Sequence, residues 1–106
     1  MIITTTDSIE GKQVTEYHGI VSAEVILGAN LIKDFFANIR DMVGGRSGSY
    51  EKVLADGKEM AIEDLKERAA DMGANAVIGC DLDYEAIGAK SGMLMVVANG
   101  TAVTVK

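Results

Sequence analysis

Three carboxylates, Asp81, Asp83 and Glu85, occupy alternate positions of one β-prone segment, Ala76 to Ala86. In an extended strand that spacing puts them on one face, ~6–7 Å apart along the chain. Carboxylates held this close repel one another, and a shared proton or a bound cation relieves the repulsion. A second alternating segment, Gln13 to Leu27, carries Glu16, His18 and Glu24. If the two segments pair side by side, Glu16, His18, Asp81, Asp83 and Glu85 make a candidate site for a hard or borderline divalent metal ion, the one cofactor the chain suggests. A solvated polar face is the ordinary reading of the same residues. A soft heavy metal asks for paired thiolates or Cys/His spacing. Cys80 is the single cysteine, and strand alternation turns it away from the carboxylates.

A second candidate lies in Gly44-Gly45-Arg46-Ser47-Gly48-Ser49. The paired glycines end one helix, because glycine takes positive φ without a steric penalty. A serine hydroxyl caps the next helix, whose first N–H groups have no partner within it. Arg46, Ser47 and Ser49 could therefore hold a small anion at a helix start or form a subunit contact. No Gly-Lys-Ser/Thr follows the glycines, so this is not a phosphate-binding loop of the Walker type. His18 with Glu16 could act as an acid/base pair, but no nucleophile is set beside them. No catalytic constellation emerges, and a non-enzymatic protein is expected.

The elements that position these residues follow from hydrophobic periodicity. Met1 to Thr6 is a short β-prone start, followed by a turn around Gly11. From Gln13 to Leu27 the chain alternates, with Tyr17, Val21, Ala23, Val25 and Leu27 on one face and Glu16, His18, Ser22 and Glu24 on the other. Asn30 caps a helix to about Val43, whose apolar stripe is Leu31, Ile32, Phe35, Phe36, Ile39, Met42 and Val43. A longer helix runs from about Ser49 to Met72 with Tyr50, Val53, Leu54, Gly57, Met60, Ala61, Leu65, Ala69 and Met72 inward, and Gly73 stops it. Gly57 and Ala61 leave a flat patch for close backbone approach.

Ala76 to Ala86 is a strand with Ile78, Cys80, Leu82 and Tyr84 opposite the carboxylates. After a loop at Gly88 to Gly92, a last strand runs from Met93 to Val105, with a break expected near Asn99-Gly100. Strands at both ends with helices between predict an α+β fold. It should have two layers, a mainly antiparallel sheet covered on one face by two helices. The last strand is apolar on both faces, as is usual for a strand buried on both sides. Ile62 stands off the helix stripe. A homo-oligomer is expected.

The 106 residues, 48% of them apolar, suit one domain over 1–106. Sixteen acidic residues against ten basic ones give a net charge of −6. That balance disfavours binding to nucleic-acid phosphates. A single cysteine fits a reducing compartment. The start, which lacks a basic segment and turns polar by Thr4, and the want of a membrane-length apolar run point to the cytoplasm.

The chain resembles the YbjQ-like family of small bacterial proteins. The matching stretches are Gly19-Ile20-Val21 with Glu24, Gly28-Ala29-Asn30, Asp34-Phe35-Phe36-Ala37 and Ile39-Arg40-Asp41. They continue through Val43 to Glu51, Gly73-Ala74-Asn75-Ala76-Val77, Asp81 with Asp83-Tyr84-Glu85, Met93-Leu94-Met95-Val96 and Gly100-Thr101-Ala102-Val103. The resemblance implies a dodecin-like subunit in a ring, typically a pentamer or a multiple of it. It also implies a heavy-metal-binding label, without site residues to carry over. The resulting expectation is a self-assembling binding module. Its alternatives are a metal binder on the carboxylate face and an anion binder at Gly44–Glu51.

Overall fold

A computed structural model of the chain describes residues 1–28, 48–88 and 93–106. The elements are β1 (Ile2–Ile3), β2 (Val14–Leu27), helix α1 (Gly48–Asp71), β3 (Ala76–Ile87) and β4 (Met93–Val105). The four strands form one sheet in the order β1-β3-β4-β2. The β3–β4 and β2–β4 pairs are antiparallel, whereas the short β1 runs parallel to β3, so the sheet is mixed. The helix expected at Asn30–Val43 lies outside the described residues, and α1 is the one helix among them.

The fold is α+β, with α1 laid across β2 and β4 on one face of the sheet. Its inward stripe, Val53, Gly57, Ala61, Leu65 and Ala69, is buried against Val21, Ala23, Leu27, Leu94, Val96 and Ala98. The flat patch expected at Gly57 and Ala61 is where the helix meets the sheet. A methyl group added at Gly57 would stand 3.1 Å from Val96 Cγ2 and 3.3 Å from Leu27 Cδ1. Gly73, with φ 91°, ends α1. The Ala74 N–H donates to the Ala69 carbonyl and the Gly73 N–H to that of Ala70, the paired bonds of a Schellman stop.

Strand β4 runs unbroken through Asn99-Gly100. The irregularity falls instead on its neighbour, where β3 inserts an extra residue between Ile78 and Asp81 around Gly79, whose φ is +60°. A bulge of this kind reverses which side chains face which layer. Ile78 therefore leaves the face of Cys80 and joins Ala76, Val103 and Val105 in a small second cluster with Ile9 and Val14. Two further shifts in β2, at Val14/Glu16 and Tyr17/Gly19, have the same effect. Tyr17, expected with Val21, pairs with Val103 on the face away from α1, and His18 turns to the helix side.

Leu65 is fully buried under the helix. Its replacement by alanine should cost about 2–5 kcal/mol, read as a lowered urea midpoint with an unchanged slope. A methyl at Gly100 would lie 2.5 Å from Val77 Cγ1 and 3.2 Å from the Ile78 carbonyl. Gly100→Ala should therefore destabilise by about 1–3 kcal/mol in the same measurement.

Candidate functional site

The sheet face away from α1 is built in cross-strand rows, because directly paired residues point to the same side. Ser22, Asn99 and Asp81 form one row, and Glu24, Val97 and Asp83 the next. Ile26, Met95 and Glu85 follow, then Met93 beside Ile87. Toward the other end stand Ile20 with Thr101 and Tyr17 with Val103. The Ser22 hydroxyl donates to the Asn99 side-chain carbonyl and lies 3.4 Å from Glu24 Oε1. The face thus carries a carboxylate margin on β3, a polar patch at Ser22 and Asn99, and an apolar field on β4 and β2.

The three carboxylates share this face as the alternation predicts. Asp83 is solvent-exposed, yet its carboxyl is held above the ordinary aspartate range. The charge of Asp81 is the main cause, followed by a hydrogen bond between the two side chains, slight burial and the charge of Glu85. Burial pushes the Cys80 thiol up, with the Asp81 charge adding to it. Cys80 is therefore a thiol of the core rather than a thiolate ligand.

The expected union of Glu16 and His18 with Asp81, Asp83 and Glu85 does not form. Strand β4 lies between β2 and β3, which puts two strand spacings, about 9–10 Å, between those two strands. The bulges of β2 also turn Glu16 and His18 to the opposite face of the sheet. There His18 Nε2 lies 2.7 Å from Thr104 Oγ1 and 3.8 Å from Glu16 Oε2. The Thr104 hydroxyl donates in turn to the Gly73 carbonyl at 3.4 Å. His18 thus braces the end of α1 against β2 and β4. Among the described residues, no group of three or more His, Cys, Asp or Glu side chains converges on one point.

Arg46 and Ser47 lie outside the described residues, and Ser49 falls in the first turn of α1. The sequence reading missed the part played by Ser22, Asn99, Ile20 and Ile26 on the open face. For Ile20 and Ile26 the signal was present, since they alternate with Val21, Val25 and Leu27. A hollow of about 580 Å³ beside the N-terminal turn, lined by Thr4, Thr6, Asp7 and Ile9 among others, contains none of the expected site residues. No described helix is long and apolar enough to cross a membrane.

This α+β fold is similar to that of a solved protein of unknown function that belongs to the DUF74 family from Pediococcus pentosaceus. It superposes with a TM-score of 0.61 at 17% identity, covering 100% of this chain and 98% of that one. The likeness shows the fold. The family described as "Putative heavy-metal-binding" (YbjQ_1) matches residues 1–106, and the chain belongs to that family. A UPF0145 protein of Anoxybacillus flavithermus is 58% identical over 106 residues, covering 100% of this chain and 99% of its own length. The donor set does not fit a soft heavy metal within one copy, because the one thiol is buried on the helix side and the one imidazole is bonded to Thr104.

Repulsion along the carboxylate margin gives a pH signature. Because the folded Asp83 carboxyl titrates above its unfolded value, the folded state takes up a proton first as pH falls. Stability should therefore rise as pH drops through the raised value toward ~3.9, and the repulsion should be fully present above it. Asp83→Asn should raise the melting temperature slightly at pH 7, and the gain should vanish by about pH 4. Thermal melts across that range check both.

Proposed function

We propose that this protein acts as a self-associating assembly and binding module in the bacterial cytoplasm, without a catalytic role. One observation carries the reading: beside its polar patch and carboxylate margin, the sheet face away from α1 leaves large apolar side chains exposed. Tyr17, Ile20 and Ile26 are 69%, 83% and 58% exposed, beside the half-buried Met93, Met95 and Val97 of the central strand. An apolar field of this kind, rimmed by polar and charged residues, is characteristic of an interaction surface. Another copy of the chain covers it, in a dodecin-like ring of the kind the family resemblance implies. Val97→Asp would place a carboxylate in that contact and leave the helix-facing core untouched. Association should weaken about a hundredfold or more, with the far-UV spectrum unchanged. Sedimentation velocity checks this, and a variant that sediments like wild type would refute the reading.

The raised Asp83 carboxyl favours a second reading, binding of a divalent cation along Asp81, Asp83 and Glu85. Groups that crowd negative charge bind protons and hard cations for the same reason. Ni²⁺, Zn²⁺ or Ca²⁺ should then raise the melting temperature, and Asp81→Ala combined with Asp83→Ala should abolish the response. No shift with any of the three ions would remove this reading.

A further inference from the structure

We propose that residues 2–6 form a strap that opens as a unit while the rest of the sheet stays closed, and that its opening controls access to the β3 edge at residues 76–80 and to the Cys80 thiol. The bulge of β3 creates the need for the strap. Gly79 and Cys80 together oppose the single residue Gly100, since Ile78 pairs with Thr101 and Asp81 with Asn99. A bulge leaves its extra residue outside the ladder, so its N–H groups need other acceptors. The Gly79 N–H donates to the Thr6 carbonyl at 2.7 Å, and the Cys80 N–H to the Thr4 carbonyl at 2.9 Å. In return the Thr4 N–H donates to the Val77 carbonyl at 3.0 Å, and Ile2 and Ile3 run parallel to Ala76 and Val77. On the β4 side, a methyl at Gly100 would crowd Val77, the Ile78 carbonyl and the Cys80 Cα. The bulge is thus held by a missing side chain on one flank and by the strap on the other.

What the strap covers is buried, whereas the strap itself is not. Ala76, Val77, Ile78 and Cys80 all lie in the core. None of residues 1–13 is buried, and Ile3 is the one strap side chain packed against the cluster that contains Val77 and Cys80. The open hollow lined by Ile2, Thr4 and Thr6 leaves the strap loosely packed beside it. Segments held by a few backbone bonds with little buried apolar surface open at a fraction of the global unfolding free energy. Releasing the strap breaks its bonds to β3 and one side-chain contact. Opening β4 instead breaks two ladders and the helix-facing core. The bonds at Thr4, Gly79 and Cys80 pass through one short segment, so they break together. Cys80 is the only cysteine, and its N–H and its core cluster are both tied to the strap.

Native-state amide exchange of the full-length protein and three substituted forms tests the strap. In the unaltered protein the amides of Thr4, Gly79 and Cys80 should share one opening equilibrium. It should lie about a hundredfold or more further toward the open state than that of Ala98, in the middle of β4. Leu65→Ala lowers global stability, so it should speed exchange at Ala98 and leave the three strap-linked amides unchanged. Ile3→Ser removes the strap's one core contact and should raise the opening of all three about tenfold, whereas Ile3→Val should stay within about threefold of the unaltered protein. Modification of Cys80 by an aromatic disulfide reagent needs an accessible thiol, and its rate should follow the strap-linked amides across the series. Protection of those amides equal to that of Ala98, or their acceleration by Leu65→Ala, would overturn the separate strap. A thiol rate that follows Ala98 instead would overturn control of Cys80 by the strap. If Ile3→Ser does not fold, the unaltered protein, Leu65→Ala and Ile3→Val still decide between these outcomes.

Discussion

A sheet has two faces, and helix α1 covers one of them. Much of the described structure answers to that constraint. On β4, Leu94, Val96, Ala98 and Ala102 turn toward the helix and are buried, while Met93, Met95 and Val97 turn away and remain half-buried. The small cluster of Ile9, Val14, Ala76, Ile78, Val103 and Val105 closes one end of the second face. The remainder, from Ile20 across to Ile87, is left uncovered by the described elements. Burying apolar area contributes roughly 25 cal/mol per Å², so covering Ile20, Ile26 and the middle of β4 would favour association against the cost of the carboxylates around them.

The chemical groups are arranged around the same division. The carboxylates of β3 stand at the margin of the open face, where their repulsion shows in the raised Asp83 carboxyl. The lone thiol sits among core side chains, and the lone imidazole hydrogen-bonds to Thr104 at the end of α1. Groups that sequence spacing would assemble into a metal site are thus shared between two faces and two strands that β4 separates. A soft-metal role would need ligands brought together from several copies.

The strand and helix boundaries were legible in the sequence, because period and punctuation agree there. Val14–Leu27, Gly48–Asp71, Ala76–Ile87 and Met93–Val105 each coincide within a residue or two with a β-prone run or a 3.6-residue stripe ending near a glycine or a turn. The site was legible only in part. Asp81, Asp83 and Glu85 share a face because no bulge falls between them. Glu16 and His18 were assigned to the wrong face because the extra residues near Thr15 and His18 reverse parity, and Ile78 was misassigned for the same reason at Gly79. Single-residue bulges leave little trace in composition, whereas strand order depends on contacts far apart in the chain. The placement of β4 between the two acidic segments belongs to that second class.

Self-association through the open sheet face is tested most directly by a native mass spectrum of the protein as purified from cells. The account predicts a discrete assembly whose mass is a whole multiple of the 11.2 kDa chain, persisting at low micromolar concentration. A spectrum showing only the 11.2 kDa monomer at that concentration and at ten times it would contradict the account.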